Sequence, residues 1–347
     1  MYRYIGNKTR ILPFILEKAE EIIGNEGVVV DIMSGTGIVA SEFRKFGYKV
    51  VAADVMTYSY HHLIVGLLMN RPPEFIGIAE IADDATVRYA AVLDYLNSLQ
   101  PQKGFFYNEF SPEGTPSDNH EPRKYFTAKN AKKIDAIRNQ INVWKEGNII
   151  TDHEESLLKH NLILAANKVA NISGTYGYFL SSFSNAALGD LHLTPAEFAW
   201  DDNIEHTVKQ GFAEDIASEI YADLCYIDPP YMKRQYAANY HILETLAKGD
   251  NPEANGKSGL RNWWDQHPKF CTKTKGLEAF SKVIDDMNCS NFLVSYSEDG
   301  LFSLEQLLCC FKNFGEVDYQ VIDYNRFRSN SSSLPKKISE YLISIKK

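Results

Sequence analysis

The sequence predicts an α/β protein with a mixed, mostly parallel sheet interrupted by a long insertion, and three observations carry that prediction. A β-branched apolar run at residues 27–31 (Gly-Val-Val-Val-Asp) meets a glycine turn, Ser34-Gly35-Thr36-Gly37, after which Ile38, Val39, Phe43 and Phe46 recur at helical spacing. A second apolar run at residues 49–53 ends on Asp54 and completes a β-α-β unit, whose parallel strands need the helix as a crossover. Much later, residues 224–227, 291–296 and 338–345 read as strands, so the sheet resumes after the intervening segment.

That segment changes character at about residue 71. It is polar and mixed, with a Gly/Pro/Ser/Asn-rich stretch at 111–122 and a predicted helix over 130–144 that places Ile134, Ile137, Ile141 and Trp144 on one face. The expected division is an α/β domain formed by residues 1–70 and 206–347, with residues 71–205 inserted. No internal repeat stands out, and the serines at 329–333 read as a short loop.

Composition narrows the function classes. A chain of 347 residues with 44% hydrophobic residues can bury a substantial core. Its 20 tyrosines and 19 phenylalanines exceed ordinary usage and suit a protein that stacks on bases. A formal charge of -9 argues against non-specific coating of nucleic acid while leaving room for a local basic cleft. Arg123, Lys124, Lys129, Lys132, Lys133 and Arg138 form one basic cluster; Lys257, Arg261, Lys269, Lys273 and Lys275 form another. The five cysteines show no C-x-x-C pairing and no histidine at zinc-ligand spacing, so no metal site is expected. With no signal-like or membrane-length apolar run, the expected location is the cytoplasm.

Two constellations carry chemistry. In the glycine turn, the missing Cβ atoms let backbone approach a ligand closely, and Asp54 at the end of the next strand can accept hydrogen bonds from ribose hydroxyls. Two glycines fall short of the three-glycine dinucleotide fingerprint, so a purely structural turn, with Asp54 as a helix cap, is the competing reading. The sharper motif is Asp228-Pro229-Pro230-Tyr231 after an apolar strand. Two prolines fix two φ angles and supply no backbone donors, so the loop presents a carboxylate and carbonyl oxygens in a rigid array. Such an array suits a planar amine: each acceptor holds one amino hydrogen, and the nitrogen lone pair turns toward an electrophile. Tyr231 then offers a stacking face for an extruded base.

With these motifs in order, the chain resembles the Dam-like, α-group adenine-specific DNA methyltransferases over nearly its whole length. Tyr4-Ile5-Gly6-Asn7-Lys8 resembles the family's N-terminal Tyr-x-Gly-x-Lys element, which lies over the methionine part of the cofactor. Asp31-Ile32-Met33-Ser34-Gly35-Thr36-Gly37 resembles its glycine motif, with Met33 where many relatives have Phe. Asp54 matches the ribose-binding acid, Asp215 the acid facing the cofactor's adenine, and Asp228 to Tyr231 the catalytic motif. Phe292-Leu293-Val294-Ser295-Tyr296-Ser297 resembles a later strand near the target base, and Glu340-Tyr341-Leu342-Ile343 the closing strand.

The resemblance implies a Rossmann-like, S-adenosylmethionine-dependent methyltransferase fold with an inserted target-recognition region. It also implies methylation of adenine N6 in duplex DNA after base flipping, and a role in restriction-modification beside a separately acting endonuclease. Arg123, Lys132, Lys133, Arg138, Asn171, Thr175, Tyr176, Arg234, Tyr236, Asn239, Arg326 and Arg328 are the expected DNA contacts. For some of these a structural reading competes: Asn171 and Gly174 shaping a tight turn, and Asp135 pairing with Arg138 along one helix. The alternatives for the whole chain are an RNA or protein-glutamine methyltransferase, which usually carries Asn before Pro-Pro, and a non-catalytic DNA-binding relative.

Overall fold

The computed structural model describes residues 8–198, 203–232, 235–325 and 337–347, which fall into two compact units. The first takes in the described residues of 8–68, 203–236 and 266–347 and holds nine strands. These are β1 (Val28–Asp31), β2 (Lys49–Asp54), β3 (Thr207–Gln210), β4 (Tyr221–Ala222), β5 (Leu224–Ile227), β6 (Asn288–Cys289), β7 (Asn291–Ser297), β8 (Glu316–Asn325) and β9 (Lys337–Lys346). Seven of them form one sheet in the order β3-β2-β1-β5-β7-β9-β8, while β4 and β6 make a separate pair. Neighbours in the large sheet are parallel except at β9, which runs antiparallel to both β7 and β8.

Burial on both faces explains why β1 and β5 are almost continuously apolar. One face packs Ile15, Phe43, Tyr226 and Leu342 beneath helices Leu12–Ile23 and Ile38–Phe46. The other packs Phe280, Phe292, Phe311 and Ile343 with helices Gly276–Asp286 and Leu304–Phe311. At the exposed edge, β8 shows Tyr319 and Val321 to solvent but intersperses Glu316, Asp318 and Asp323, charges that discourage pairing with another chain. Strand order reverses between β1 and β5, and at such a switch point the carboxyl ends of neighbouring strands part to leave a crevice. Asp31 and Asp54 close β1 and β2 at that end, and Asp228 follows β5 there.

The runs read as strands correspond to β1, β2, β5, β7 and β9; the short β3 and the edge strand β8 were not anticipated. The second unit, described over 69–198 and 237–265, is helical. Its long helices are Ala85–Ser98, Ala128–Glu146, Asp152–Lys168 and His241–Lys248. The expected helix is present, capped by Thr127 and burying Ile134, Ile137, Ile141 and Trp144. Among the described residues no helix is long and apolar enough to cross a membrane.

Residues 237–265 belong to this helical unit, although the sequence reading left them with the α/β domain. Polar contacts show why. Arg138 donates to the Asp250 carbonyl at 2.7 Å and to Asn251 Oδ1 at 2.5 Å. Arg123 donates to the carbonyls of Ala254 and Gly256, and the Tyr176 N–H donates to Asn239 O at 2.8 Å. Arg123 is wholly buried, with Nη1 2.7 Å from Glu109 Oε2 and Nη2 2.6 Å from Asp118 Oδ2. Removing one member of such a cluster strands buried charge. Arg123→Ala should therefore lower the unfolding free energy of this unit by about 3–5 kcal/mol in a urea titration. A midpoint and slope equal to the parent's would show that the cluster contributes no stability.

Candidate active site

β5 delivers Asp228-Pro229-Pro230-Tyr231 from a fully buried strand to the switch point. Lys8 Nζ stands 3.0 Å from Asp228 Oδ1 and 2.5 Å from Glu340 Oε1. Glu340 is itself wholly buried; its Oε1 also accepts from Ser295 Oγ at 2.7 Å, and its Oε2 from the Tyr324 hydroxyl at 3.3 Å. The Lys8 ammonium lies 5.3 Å from the centre of the Tyr231 ring, whose edge meets Tyr296 at 5.8 Å and 64°. The Tyr231 carbonyl accepts the Leu301 N–H at 2.8 Å, fixing the end of the loop. Among the described residues no hydrogen bond is made to the Pro229 carbonyl.

Burial pushes the Asp228 carboxyl up to about 7; Lys8 opposes this rise and Glu340 adds to it. Burial also works against the charge on Lys8, but the carboxylates of Asp228 and Glu340 outweigh it and keep the ammonium charged well above its ordinary range. The resemblance placed Lys8 among the cofactor contacts; its ammonium is instead engaged by Asp228 and Glu340. Neither Glu340 nor Ser295 was anticipated as a site residue. A glutamate at an inward-facing position of the closing strand, in step with the apolar Leu342, was the available signal.

The glycine turn gathers the other predicted groups. Gly35 and Gly37 both have positive φ, 54° and 78°. The Ser34 N–H donates to Ala53 O at 2.9 Å and its hydroxyl to Asp31 O at 2.7 Å, which ties β1 to β2. Asp54 clamps the turn, its Oδ2 accepting the Gly35 N–H and its Oδ1 the Met56 N–H, each at 2.8 Å. Neither N–H lies inside a helix, so Asp54 braces the turn against the end of β2 and does not cap a helix as the competing reading had it. Met33 and Thr36 are half-buried beside it. Asp31 is 1% exposed, and among the described residues neither carboxylate oxygen accepts a hydrogen bond. Its proton affinity is raised by burial first, then by the negative charges of Asp228 and Asp54. Asp215 is exposed on the short helix Ala213–Ile216 after β3. Tyr4 and Gly6 lie outside the described residues.

The acid-proline-proline-tyrosine corner and the glycine turn lie at the same end of one sheet, and both fall within residues that match a known family. The pattern of D12 class N6 adenine-specific DNA methyltransferases matches residues 4–303. The chain belongs to that family. Modification methylase StsI of Streptococcus sanguinis is 33% identical over 349 residues, covering 99% of this chain and 52% of its own length. Type II methyltransferase M.FokI of Planomicrobium okeanokoites is 33% identical over 354 residues, again 99% of this chain and 52% of its own. The chain thus spans about half the length of these two relatives. Type II methyltransferase M.NlaIII of Neisseria lactamica is 33% identical over 332 residues, 95% of this chain and 93% of its own.

Within this family member, several expected DNA contacts turn out to be committed to the interior of the helical unit. Arg123 is consumed by its acidic cluster. Arg138 stacks over Phe105 and Phe106 and holds residues 250 and 251, while Asp135 accepts the N–H groups of Gly104, Phe106 and Tyr107 instead of forming the expected helix pair. Lys133 donates to the carbonyls of Asn97 and Leu99 at 2.5 and 2.6 Å, capping the end of helix Ala85–Ser98. Asn171 pins its loop through Lys124 O, Leu180 O and the Ser184 N–H, in line with the structural reading. Tyr176 is buried with its hydroxyl on Asn167 Oδ1 at 3.0 Å.

Lys132, Thr175, Tyr236 and Asn239 are half-buried; Arg234, Arg326 and Arg328 lie outside the described residues. The neighbouring Tyr178 was passed over, yet it is exposed, stacks on Phe179 at 5.0 Å and has the exposed Lys257 5.1 Å from its ring centre. The turn's geometry also gives a stability expectation. A Cβ on Gly37 would stand 2.9 Å from Cδ2 of the buried Leu63, at a φ that L-residues resist. Gly37→Ala should cost about 1–2 kcal/mol of stability in thermal or urea unfolding, and an unchanged midpoint would show that the turn tolerates a side chain.

Proposed function

We propose that the chain transfers a methyl group from S-adenosylmethionine to the exocyclic N6 amino group of a flipped adenine in duplex DNA. We assign it a cytoplasmic role as the modification partner of a separately acting restriction endonuclease. The observation that carries the reading is the half-buried Asp228 carboxylate beside the Pro229 carbonyl, which accepts no hydrogen bond among the described residues, two acceptors on a stiff corner. The family match does not favour RNA or protein glutamine as substrate, and the similarity to modification methylases such as StsI supports the restriction-modification role.

The residues at the strand ends fit the proposed cofactor. Asp31 is a buried carboxylate whose oxygens accept no hydrogen bond among the described residues, which suits it to a cationic or N–H-bearing ligand. The turn at Gly35 and Gly37 brings backbone to the same place, and Asp54 is held there by the Gly35 and Met56 N–H groups. Asp31, Met33, Ser34, Gly35, Thr36, Gly37 and Asp54 would hold the group, with Asp215 toward its adenine. When bound, S-adenosylmethionine supplies an electrophilic methyl on a sulfonium centre.

Asp228 and the Pro229 carbonyl each accept one amino hydrogen, which withdraws the nitrogen lone pair from the ring and aims it along one direction. Pro229 and Pro230 fix the φ angles that keep both acceptors in place. A carboxylate with a pKa of about 7 is basic enough to take the proton released after transfer and still substantially ionised at neutral pH. Tyr231 offers its ring to the extruded base. On the helical unit, we assign DNA contact to Lys132, Thr175 and Asn239 and add Tyr178 and Lys257; Arg234, Tyr236, Arg326 and Arg328 keep their assignment as DNA contacts.

Three results test this reading. Asp228→Ala should bind cofactor as the parent does in calorimetry yet lose about a hundredfold or more in single-turnover methyl transfer, whereas Asp54→Ala should chiefly weaken cofactor binding; equal turnover by Asp228→Ala refutes the role of the corner. The carboxylate must be ionised to hold the amine, so kcat/KM should fall as pH drops below about 7; a flat profile down to pH 5 would remove Asp228 as the titrating group. Lys257→Ala should reduce the slope of log binding constant against log salt by about one, and an unaltered slope would move the phosphate contact elsewhere.

A further inference from the structure

The buried acid on the closing strand has no part in the chemistry described so far. It sits on β9 opposite Ser297 of β7 and Ile322 of β8, inside the sheet, where a charge is expensive without partners. Its partners are specific: Lys8 and Ser295 on Oε1, and Tyr324 on Oε2. Lys8 joins it to Asp228, so three formal charges, two negative and one positive, share one enclosure. We propose that Glu340 is a positioning residue for methyl transfer, acting through Lys8 to fix the Asp228 carboxylate and to leave the site with one uncompensated negative charge facing the amine.

This inference rests on the proposed reaction and extends it. If Lys8 faced Asp228 alone, the pair would be neutral, and the carboxylate would have little field to offer an amine that becomes cationic on methylation. With Glu340 neutralising Lys8, the ammonium still orients Asp228 through Oδ1, while the net charge of the three groups remains negative. As the carbon-nitrogen bond forms and the carbon-sulfur bond breaks with its electron pair leaving on sulfur, positive charge passes to the amine, and the proton then departs to Asp228. A fixed negative field favours that passage most at the transition state.

The titratable and charged groups facing Asp228 are Lys8 from the N-terminal segment, Asp31 from β1, Tyr226 from β5, Tyr231 from the loop, Tyr324 from β8 and Glu340 from β9. Of these, Lys8 and Glu340 can be altered to give opposite electrostatic signs at Asp228. Glu340→Gln keeps shape and hydrogen-bonding capacity but removes a negative charge, so the Asp228 carboxyl should titrate at lower pH than in the parent. Lys8→Met removes the positive charge, so it should titrate at higher pH. Damage to packing alone does not generate opposite shifts.

The direct experiment is carboxyl-carbon NMR titration of the cofactor-free full chain, with the Asp228 resonance assigned by its loss in Asp228→Asn. It is paired with single-turnover methyl transfer at a pH above the acid limb. Expected for Glu340→Gln are a downward shift of the Asp228 titration, an acid limb moved the same way, and a rate reduced about tenfold or more with cofactor affinity retained. Unmoved or same-direction titrations in the two variants would overturn the electrostatic link, and a shifted titration with an undiminished rate would overturn the role in transfer. Should Glu340→Gln fail to fold, Lys8→Met alone decides: an Asp228 titration that does not rise contradicts the link. If the parent transfers no methyl to DNA, the proposed reaction falls, while the titrations still test the coupling of Glu340 to Asp228.

Discussion

Holding one carboxylate largely apart from bulk water at the end of a buried strand is the constraint around which the sheet-bearing unit is arranged. Asp228 follows β5, the strand flanked by β1 and β7 and covered on both faces, so desolvation is built into its position. Burial alone would leave a neutral acid; Lys8 keeps ionisation within reach of neutral pH, and Glu340, itself held by the Ser295 and Tyr324 hydroxyls, holds Lys8. The antiparallel β9, inserted between β7 and β8, is what brings Glu340 to this enclosure. Topology and chemistry are therefore linked at one ion cluster.

Much of this was legible in the residues. Buried parallel strands need unbroken apolar runs, which is why β1, β2 and β5 could be read, and two glycines with positive φ marked the turn that Asp54 clamps. Edge strand β8 was not legible because its exposed faces carry mixed polarity, and β3 is four residues with none fully buried. The helix Asp152–Lys168 shows another limit. Its buried residues run almost all the way round, from Leu157 and Leu158 to Lys159 and Asn161, so no single apolar stripe announces it, although the Thr151 and Glu154 capping box does.

The least legible part was the helical unit's polar residues. A run of arginines and lysines looks the same in sequence whether it faces phosphate or ties loops together. Arg123 and Arg138 do the latter because the segment at 250–256 offers carbonyl oxygens, a pairing more than a hundred residues distant in the chain. Asn171 and Tyr176 are spent likewise on the loop that exposes Tyr178. Sequence proximity could not tell which side chains of this turn-rich loop face solvent and which face the interior.

Identifying the base that receives the methyl group tests the central claim most directly. Unmodified duplex DNA would be incubated with the full chain and methyl-labelled S-adenosylmethionine, hydrolysed to nucleosides and separated by chromatography with mass detection. A corner that grips a primary amine by both hydrogens, in a chain of the N6 adenine-specific family, predicts label solely in N6-methyldeoxyadenosine. Label in a methylated cytosine, or on a ring carbon of any base, would contradict it.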